Sequence, residues 1–193
     1  MSAVRLVLAS ASPRRLELLA RLGVTPDAVI PADIDEQAGI RELPAPYAAR
    51  MSAQKAGAVH ASNPGDLILA ADVVVAVGRR ILPKTESEQE AREALSLLSG
   101  RRHRVFCGVT MIDATGTARH RLSTSMIAFK RLSPDELDAY VASQEWQGKA
   151  GGYAIQGRAE ALVRSLSGSF SGVMGLPLFE TRALLRAAGY PLG

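Results

Sequence analysis

The feature that most constrains the fold is the run Leu67–Val77, apolar throughout except for Asp72 and turned at its end by Gly78. Its continuous, β-branched character predicts a strand. A carboxylate inside such a run either ends a strand at a cleft or is buried at considerable cost. At a cleft edge Asp72 would hold a divalent cation or orient water. The bland alternative is a strand-end aspartate capping a local turn, and the run alone does not choose between the two.

The flanking segments alternate between the two periods. Val4–Ala9 is a short apolar run read as a buried strand. Ser12 followed by Pro13 predicts an N-cap and first helical position, with Gly23 as the stop, and Leu16, Leu18, Leu19 and Leu22 turned to a core. Ala28–Ala32 predicts a short strand ending at the acidic cluster Asp33, Asp35 and Glu36, and Tyr47–Ala61 an alanine-rich helix carrying Lys55. Ser87 with Glu90, and Ser133 with Glu136, form two capping boxes that open helices running to Gly100 and to about Ser143. Arg104–Ile112 and Thr117–Phe129 flank a turn at Ala114–Gly116 and predict a hairpin. A glycine-rich loop, Gly148–Gly157, precedes a last helix over Pro177–Ala188. Strands and helices alternate but the hairpin makes the sheet mixed, so the expectation is an α/β fold with a mixed, twisted sheet, in one domain over residues 1–193.

Charge is the next constraint. The net charge is +4, but the excess is spread along the chain and the only dense basic run is Arg101, Arg102, His103 and Arg104. Aromatic residues make up 5%, too few to offer platforms for stacked bases, which argues against nucleic acid as the partner. Only Lys55, Lys84, Lys130 and Lys149 are lysine, and in so arginine-biased a chain a lysine marks a place where a compact point charge is wanted. Cys107 is the single cysteine, which excludes an intrachain disulfide and a multi-cysteine metal site. No apolar run reaches the ~18 residues of a membrane span. Met1–Leu8 carries no signal-peptide pattern, so a cytoplasmic protein is expected.

Three groups of residues are suited to phosphate chemistry. Ser10-Ala-Ser-Pro-Arg14-Arg15 places two arginines in the first turn of a helix, where they oppose the macrodipole unless an anion sits nearby. A phosphate would satisfy the free N–H groups, the serine hydroxyls and the guanidinium forks together; the alternative is that both arginines point into water. Lys84 lies beyond a turn from Asp72 as a point charge for phosphate, and Asp35 and Glu36 offer further oxygen ligands. In the loop from Trp146 to Gly157, glycine permits close backbone approach to a ligand and Gln156 can both donate to and accept from a base edge. This loop matches no P-loop or dinucleotide fingerprint. His60, His103 and His120 lack metal-ligand spacing and read as structural or solvated.

The order of these motifs resembles the Maf family of nucleoside triphosphate pyrophosphatases. The likeness rests on Leu8-Ala-Ser-Ala-Ser-Pro-Arg-Arg-Leu-Glu-Leu-Leu19, Asp35-Glu36, Lys55, Ala71-Asp72, Lys84, Leu98-Ser-Gly-Arg101, Gly148-Lys-Ala-Gly-Gly-Tyr-Ala-Ile-Gln-Gly157 and Gly175-Leu-Pro-Leu178. It implies cleavage of the α–β phosphoanhydride of a nucleoside triphosphate, and a two-lobed cleft in a fold similar to inosine triphosphate pyrophosphatases. It also implies a homodimer and a divalent cofactor, Mg²⁺ or Mn²⁺. Carried over, Asp72 would be the general base or metal-associated carboxylate, with Glu36 helping to hold the ion. Ser10, Arg14, Arg15, Lys55 and Lys84 would hold the triphosphate, and Gln156 would contact the base.

Gln156 resembles the branch acting on dTTP and UTP, whereas the branch acting on 7-methyl-GTP is expected to carry glutamate there. Two positions depart from the pattern: Val73 stands where the pyrimidine branch usually has threonine, and Pro83-Lys84-Thr85 where Gly-Lys-Pro is usual. The expectation is a house-cleaning dTTP/UTP pyrophosphatase. The alternatives are 7-methyl-GTP hydrolysis, or a non-catalytic nucleotide-binding regulator of cell division.

Overall fold

The computed structural model describes residues 5–192, so Val4, expected to open the first strand, lies outside the described residues. Among these residues seven strands form one mixed sheet: β1 (Leu6–Leu8), β2 (Ala28–Val29), β3 (Leu67–Val77), β4 (Arg80–Leu82), β5 (Arg102–Ile112), β6 (Ala118–Phe129) and β7 (Val163–Ser167). The order is β2-β1-β3-β5-β6-β7, with β4 also paired to β3. β1 runs parallel to β2 and β3, and every other pairing is antiparallel. The helices are α1 (Pro13–Ala20), α2 (Pro44–Ser62), α3 (Glu88–Leu98), α4 (Pro134–Ala142), α5 (Phe170–Met174) and α6 (Leu178–Ala187), with a 3₁₀ turn over Arg158–Leu162. No described helix is long and apolar enough to cross a membrane.

Alternation along β3 explains the layering. Leu67, Leu69, Ala71 and Val75 join the main core with Leu18 and Leu19 of α1, Leu95 and Leu98 of α3, and Leu184 and Leu185 of α6. The intervening residues point the other way, under α2. There Ile68 and Ala70 meet Ala56 and Val59, while Val74 and Ala76 meet Ala48 and Phe106. Asp72 belongs to this second set by its period of two and falls between the two apolar clusters, so β3 is buried on both faces along most of its length and carries its one carboxylate between them.

Gly108 of β5 lies directly opposite Asp72. A Cβ there would stand 2.9 Å from Ser52 Oγ and still closer to the Ala48 carbonyl. A bare backbone at this position therefore lets α2 lie flat on β5, which sets the height of Lys55 over Asp72.

Both edges of β3 are not used alike. β5 pairs along one edge from Ile68 to Ala76. On the other edge β1 pairs only Leu67–Leu69 and β4 only Val75–Val77. Between them the edge has no strand partner among the described residues, and Asp72 stands midway in that gap. The gap is the floor of a cleft, with the β1–α1 connection on one side and the chain after β4 with the 146–157 loop on the other. These are the two lobes.

Both capping boxes form reciprocally, Ser87 with Glu90 and Ser133 with Glu136. Three expectations need correction. Ser12 occupies the N-cap position of α1 but its side chain makes no cap bond; instead its N–H is taken by Ser10 Oγ at 3.1 Å. α2 begins at Pro44, since a proline at the first helical position needs no N–H partner. β2 stops at Val29 rather than running to Ala32, because Pro31 follows. The short β4, β7 and α5 carry no period long enough to predict.

His103 fills the main-core face beside Phe129 and Tyr153, with one ring nitrogen 2.8 Å from the Tyr153 hydroxyl. Burial lowers its imidazole to about 4, while in an unfolded chain histidine titrates near ~6.5. Between those values only the unfolded chain takes the proton. Stability is therefore full above about pH 6.5 and falls by up to ~1.4 kcal/mol per pH unit toward pH 4. Thermal melts over this range should show His103→Phe lacking this part of the slope. Separately, Gly108→Ala should cost about 1–3 kcal/mol through overpacking against helix backbone. Gly57→Ala, on open space in α2, should instead stabilise by about 0.5–1 kcal/mol; chemical denaturation midpoints of the two variants check both signs.

Candidate active site

The cleft over the open edge of β3 has a volume of about 450 Å³ and is lined by Ser10, Arg14, Arg15, Glu36, Lys55, Asp72, Val73, Lys84, Lys149 and Gln156 among others. Every residue singled out as a site candidate from the sequence, apart from Asp35, reaches this one cleft. Asp35 instead accepts the Gln37 N–H in a local turn.

At its floor, Lys55 Nζ donates to Asp72 Oδ1 at 2.5 Å and lies 2.8 Å from Glu36 Oε1. Lys84 Nζ donates to Glu36 Oε2 at 2.7 Å. Lys55 and Asp72 are 7% and 8% exposed, so this pair is largely taken out of water and holds because each charge has its counter-ion. Partial burial would raise the Glu36 carboxyl, but the Lys55 and Lys84 ammoniums outweigh it and hold the group at about 2. Tyr47 fixes the loop that carries Glu36 by donating its hydroxyl to the Glu36 carbonyl at 2.5 Å. Among the described residues Asp72 Oδ2 has no hydrogen-bond partner, and it is not sealed from the cleft.

One wall is the connection from β1 to α1. Arg15 donates from Nη1 to Ser10 Oγ at 2.7 Å and from Nε to the Gly175 carbonyl at 2.9 Å. It therefore braces the serine loop against the end of α5 rather than pointing into water. Arg14 is different: its Nε is buried with no hydrogen-bond partner. Burial and then the neighbouring Arg15 charge lower its guanidinium below the usual range. No acidic residue occupies the first turn of α1, so this helix start keeps its positive end toward the cleft. Val73, half-buried, points to the opposite face from Asp72, beside Arg15 and Gly175.

The other wall is the 146–157 loop, and it is held along its length. Thr85 donates its hydroxyl to the Trp146 carbonyl at 2.8 Å, and residues 83–85 exchange backbone hydrogen bonds with Gly148, Lys149 and Gly151. Tyr140 Oη accepts the Ala154 N–H at 3.0 Å and Glu145 accepts the Arg158 N–H at 2.8 Å. A Cβ on Gly151, whose φ is +70°, would meet Val75 at 2.9 Å, so glycine lets the loop lie against β3. Thr85, one of the two departures from the family pattern, is thus a buried staple between Lys84 and the loop. Gln156 emerges from this braced segment exposed and without a hydrogen-bond partner.

Five cationic side chains face two carboxylates in this cleft, a net +3, which suits a polyanion in a confined space. Among the described residues no three of His, Cys, Asp and Glu converge as a ready-made metal site. Asp72 Oδ2 and Glu36 are hard oxygen donors, and Mg²⁺ is commonly held by one or two carboxylates with substrate phosphates and water. The donor set fits a hard divalent ion that arrives with a polyphosphate. Lys149, Thr85 and Tyr47 are the participants to which the sequence reading gave no role; Lys149 stood out only as a scarce lysine within the Gly148–Gly157 segment.

The family model of Maf-like proteins matches residues 5–188. A protein of Novosphingobium aromaticivorans named dTTP/UTP pyrophosphatase is 60% identical over 184 residues, covering 95% of this chain and 92% of that one. One of the same name from Zymomonas mobilis is 57% identical over 187 residues, covering 97% and 93%. The solved structure of a HAM1 protein from Coxiella burnetii aligns over 96% of this chain and all of that one, with a TM-score of 0.54 and 16% identity. That likeness is one of fold. On the family match and on these relatives, the chain belongs to the Maf family.

Proposed function

We propose that the chain hydrolyses dTTP and UTP to the monophosphate and pyrophosphate. The observation that carries this is the single cleft in which Asp72, at the open edge of β3, meets five cations and a free amide at Gln156. The relatives named dTTP/UTP pyrophosphatase support the substrate. In this reading a water oxygen bonds to the α-phosphorus and the α–β bridging P–O bond breaks. The bridging oxygen leaves with the β-phosphorus as pyrophosphate, and a water proton passes to Asp72.

Lys55 holds the Asp72 carboxylate in place from below through Oδ1, leaving Oδ2 open to the cleft for the water or the ion. Ser10 and Arg15 form a rigid shoulder, and Arg14, Lys55 and Lys84 neutralise the phosphates. Asp72 and Glu36 would hold Mg²⁺ or Mn²⁺ together with the phosphates; when bound, the ion adds charge neutralisation of the phosphoryl oxygens. Gln156 meets the base edge with a donor and an acceptor, as a pyrimidine requires, and Val73 contributes an apolar contact. The family match over residues 5–188 supports one pyrophosphatase domain, and the family resemblance supports a homodimer acting in the cytoplasm.

Pyrophosphate release measured on dTTP, UTP, CTP, GTP and 7-methyl-GTP should be greatest for dTTP and UTP. Asp72→Asn should lower it by ~10²–10⁴-fold, as loss of a general base does. No release from any nucleotide with Mg²⁺ or Mn²⁺ present would overturn the proposal and favour a binding protein. Gln156→Glu removes the amide donor and should cost dTTP and UTP about 1–3 kcal/mol in kcat/KM. A ratio of dTTP to 7-methyl-GTP turnover unchanged in that variant would remove Gln156 from base recognition.

A further inference from the structure

We propose that Lys149 and Arg14 together form the seat of the departing pyrophosphate, making Lys149 a substrate-positioning residue of the cleft. This rests on the pyrophosphatase reading and adds the division of labour within it. Of the five cations of the cleft, Arg15 is committed to Ser10 Oγ and the Gly175 carbonyl, and the other four fall into two groups. Lys55 and Lys84 are ion-paired with Asp72 and Glu36. Arg14 and Lys149 have no carboxylate partner among the described residues, and both line the cleft.

Their placement is imposed by the fold. Ala150 forms an antiparallel bridge with Lys84, and the Thr85 N–H bonds the Lys149 carbonyl at 3.2 Å. Lys149 is thereby set beside Lys84 along the rim. Its ammonium donates to the Gln147 carbonyl at 2.8 Å, which leaves two of its three protons for a ligand. Arg14 faces it from the other wall, with its Nε buried and unpartnered. Burial and the charge of Arg14 both lower the Lys149 ammonium below its usual value, as expected for two cations turned toward one another.

Two like charges held in one cleft without a counter-ion need an anion between them. The carboxylates stand with Asp72, where the α-phosphorus must be attacked. The β- and γ-phosphates carry the largest charge of the substrate, a charge that increases when the α–β bond breaks, and this assigns them to the anion-free pair.

Titration calorimetry with inorganic pyrophosphate and with dTMP, on wild type, Lys149→Ala and Lys149→Arg, tests this without turnover. Lys149→Ala should weaken pyrophosphate binding by ~10–100-fold, the loss of a charge-assisted hydrogen bond. It should leave dTMP affinity within about twofold, and Lys149→Arg should recover most of the loss. Equal pyrophosphate affinity in wild type and Lys149→Ala would overturn the assignment, as would parallel loss of dTMP binding, which would mean a collapsed loop. These outcomes are separate from those of the nucleotide panel: inactivity of the wild type there would sink the pyrophosphatase reading, whereas an active wild type with an indifferent Lys149→Ala would sink only this one.

Discussion

The structure turns on a buried ion pair between Lys55 of α2 and Asp72 of β3. Two apolar clusters under α2 flank it, and the bare backbone of Gly108 lets the helix come close enough for the ammonium to reach the carboxylate. Desolvating both charges costs several kcal/mol, and a well-packed hydrophobic pair of similar volume would commonly be no less stable. The pair therefore earns its place through chemistry. It holds a carboxylate, with one oxygen open, at the bottom of a cleft, and losing either partner would leave the other group buried without its partner.

The cleft itself is a consequence of strand pairing. β3 is long enough to need partners along its whole length, but β1 ends after three residues and β4 begins only at the far end. A gap in a buried sheet edge exposes backbone and side chains in the middle of an otherwise dry strand, and polar chemistry can be placed there without breaking the core. The walls are then supplied by whatever follows the ends of those two short strands: the serine–arginine turn after β1 and the lysine segment after β4.

Much of this was legible in the sequence because it is written in strong local signals. Asp72 is visible as the lone charge in an apolar run, the two capping boxes fix the starts of α3 and α4, and the paired arginines after Pro13 point to the wall of the cleft. The parts that were not legible are those settled by tertiary contact. β4 and β7 are three and five residues long, too short for a period to show. Nothing local distinguishes Arg15, which braces Ser10 and Gly175, from Arg14, which faces the cleft. Thr85 looked like a departure from a pattern and is in fact a buried hydroxyl joined to the carbonyl of Trp146. Lys149 stood in a glycine-rich loop whose path is decided by its bonds to residues 83–85, far away in sequence.

The hydrogen bond from Arg15 to the Gly175 carbonyl joins residues 160 apart in the chain. A polypeptide emerging during synthesis can form β1, α1 and α2, and even bring Lys55 over Asp72, well before residue 175 exists. Until then Arg15 and the serine loop lack their brace at Gly175, so an unfinished chain holds the Asp72 carboxylate beside an incomplete cleft wall. Closing so long a loop late also places the ordering of this corner among the slower events of folding. Competence to act on nucleotides thus comes with completion of the fold, not with formation of its first half.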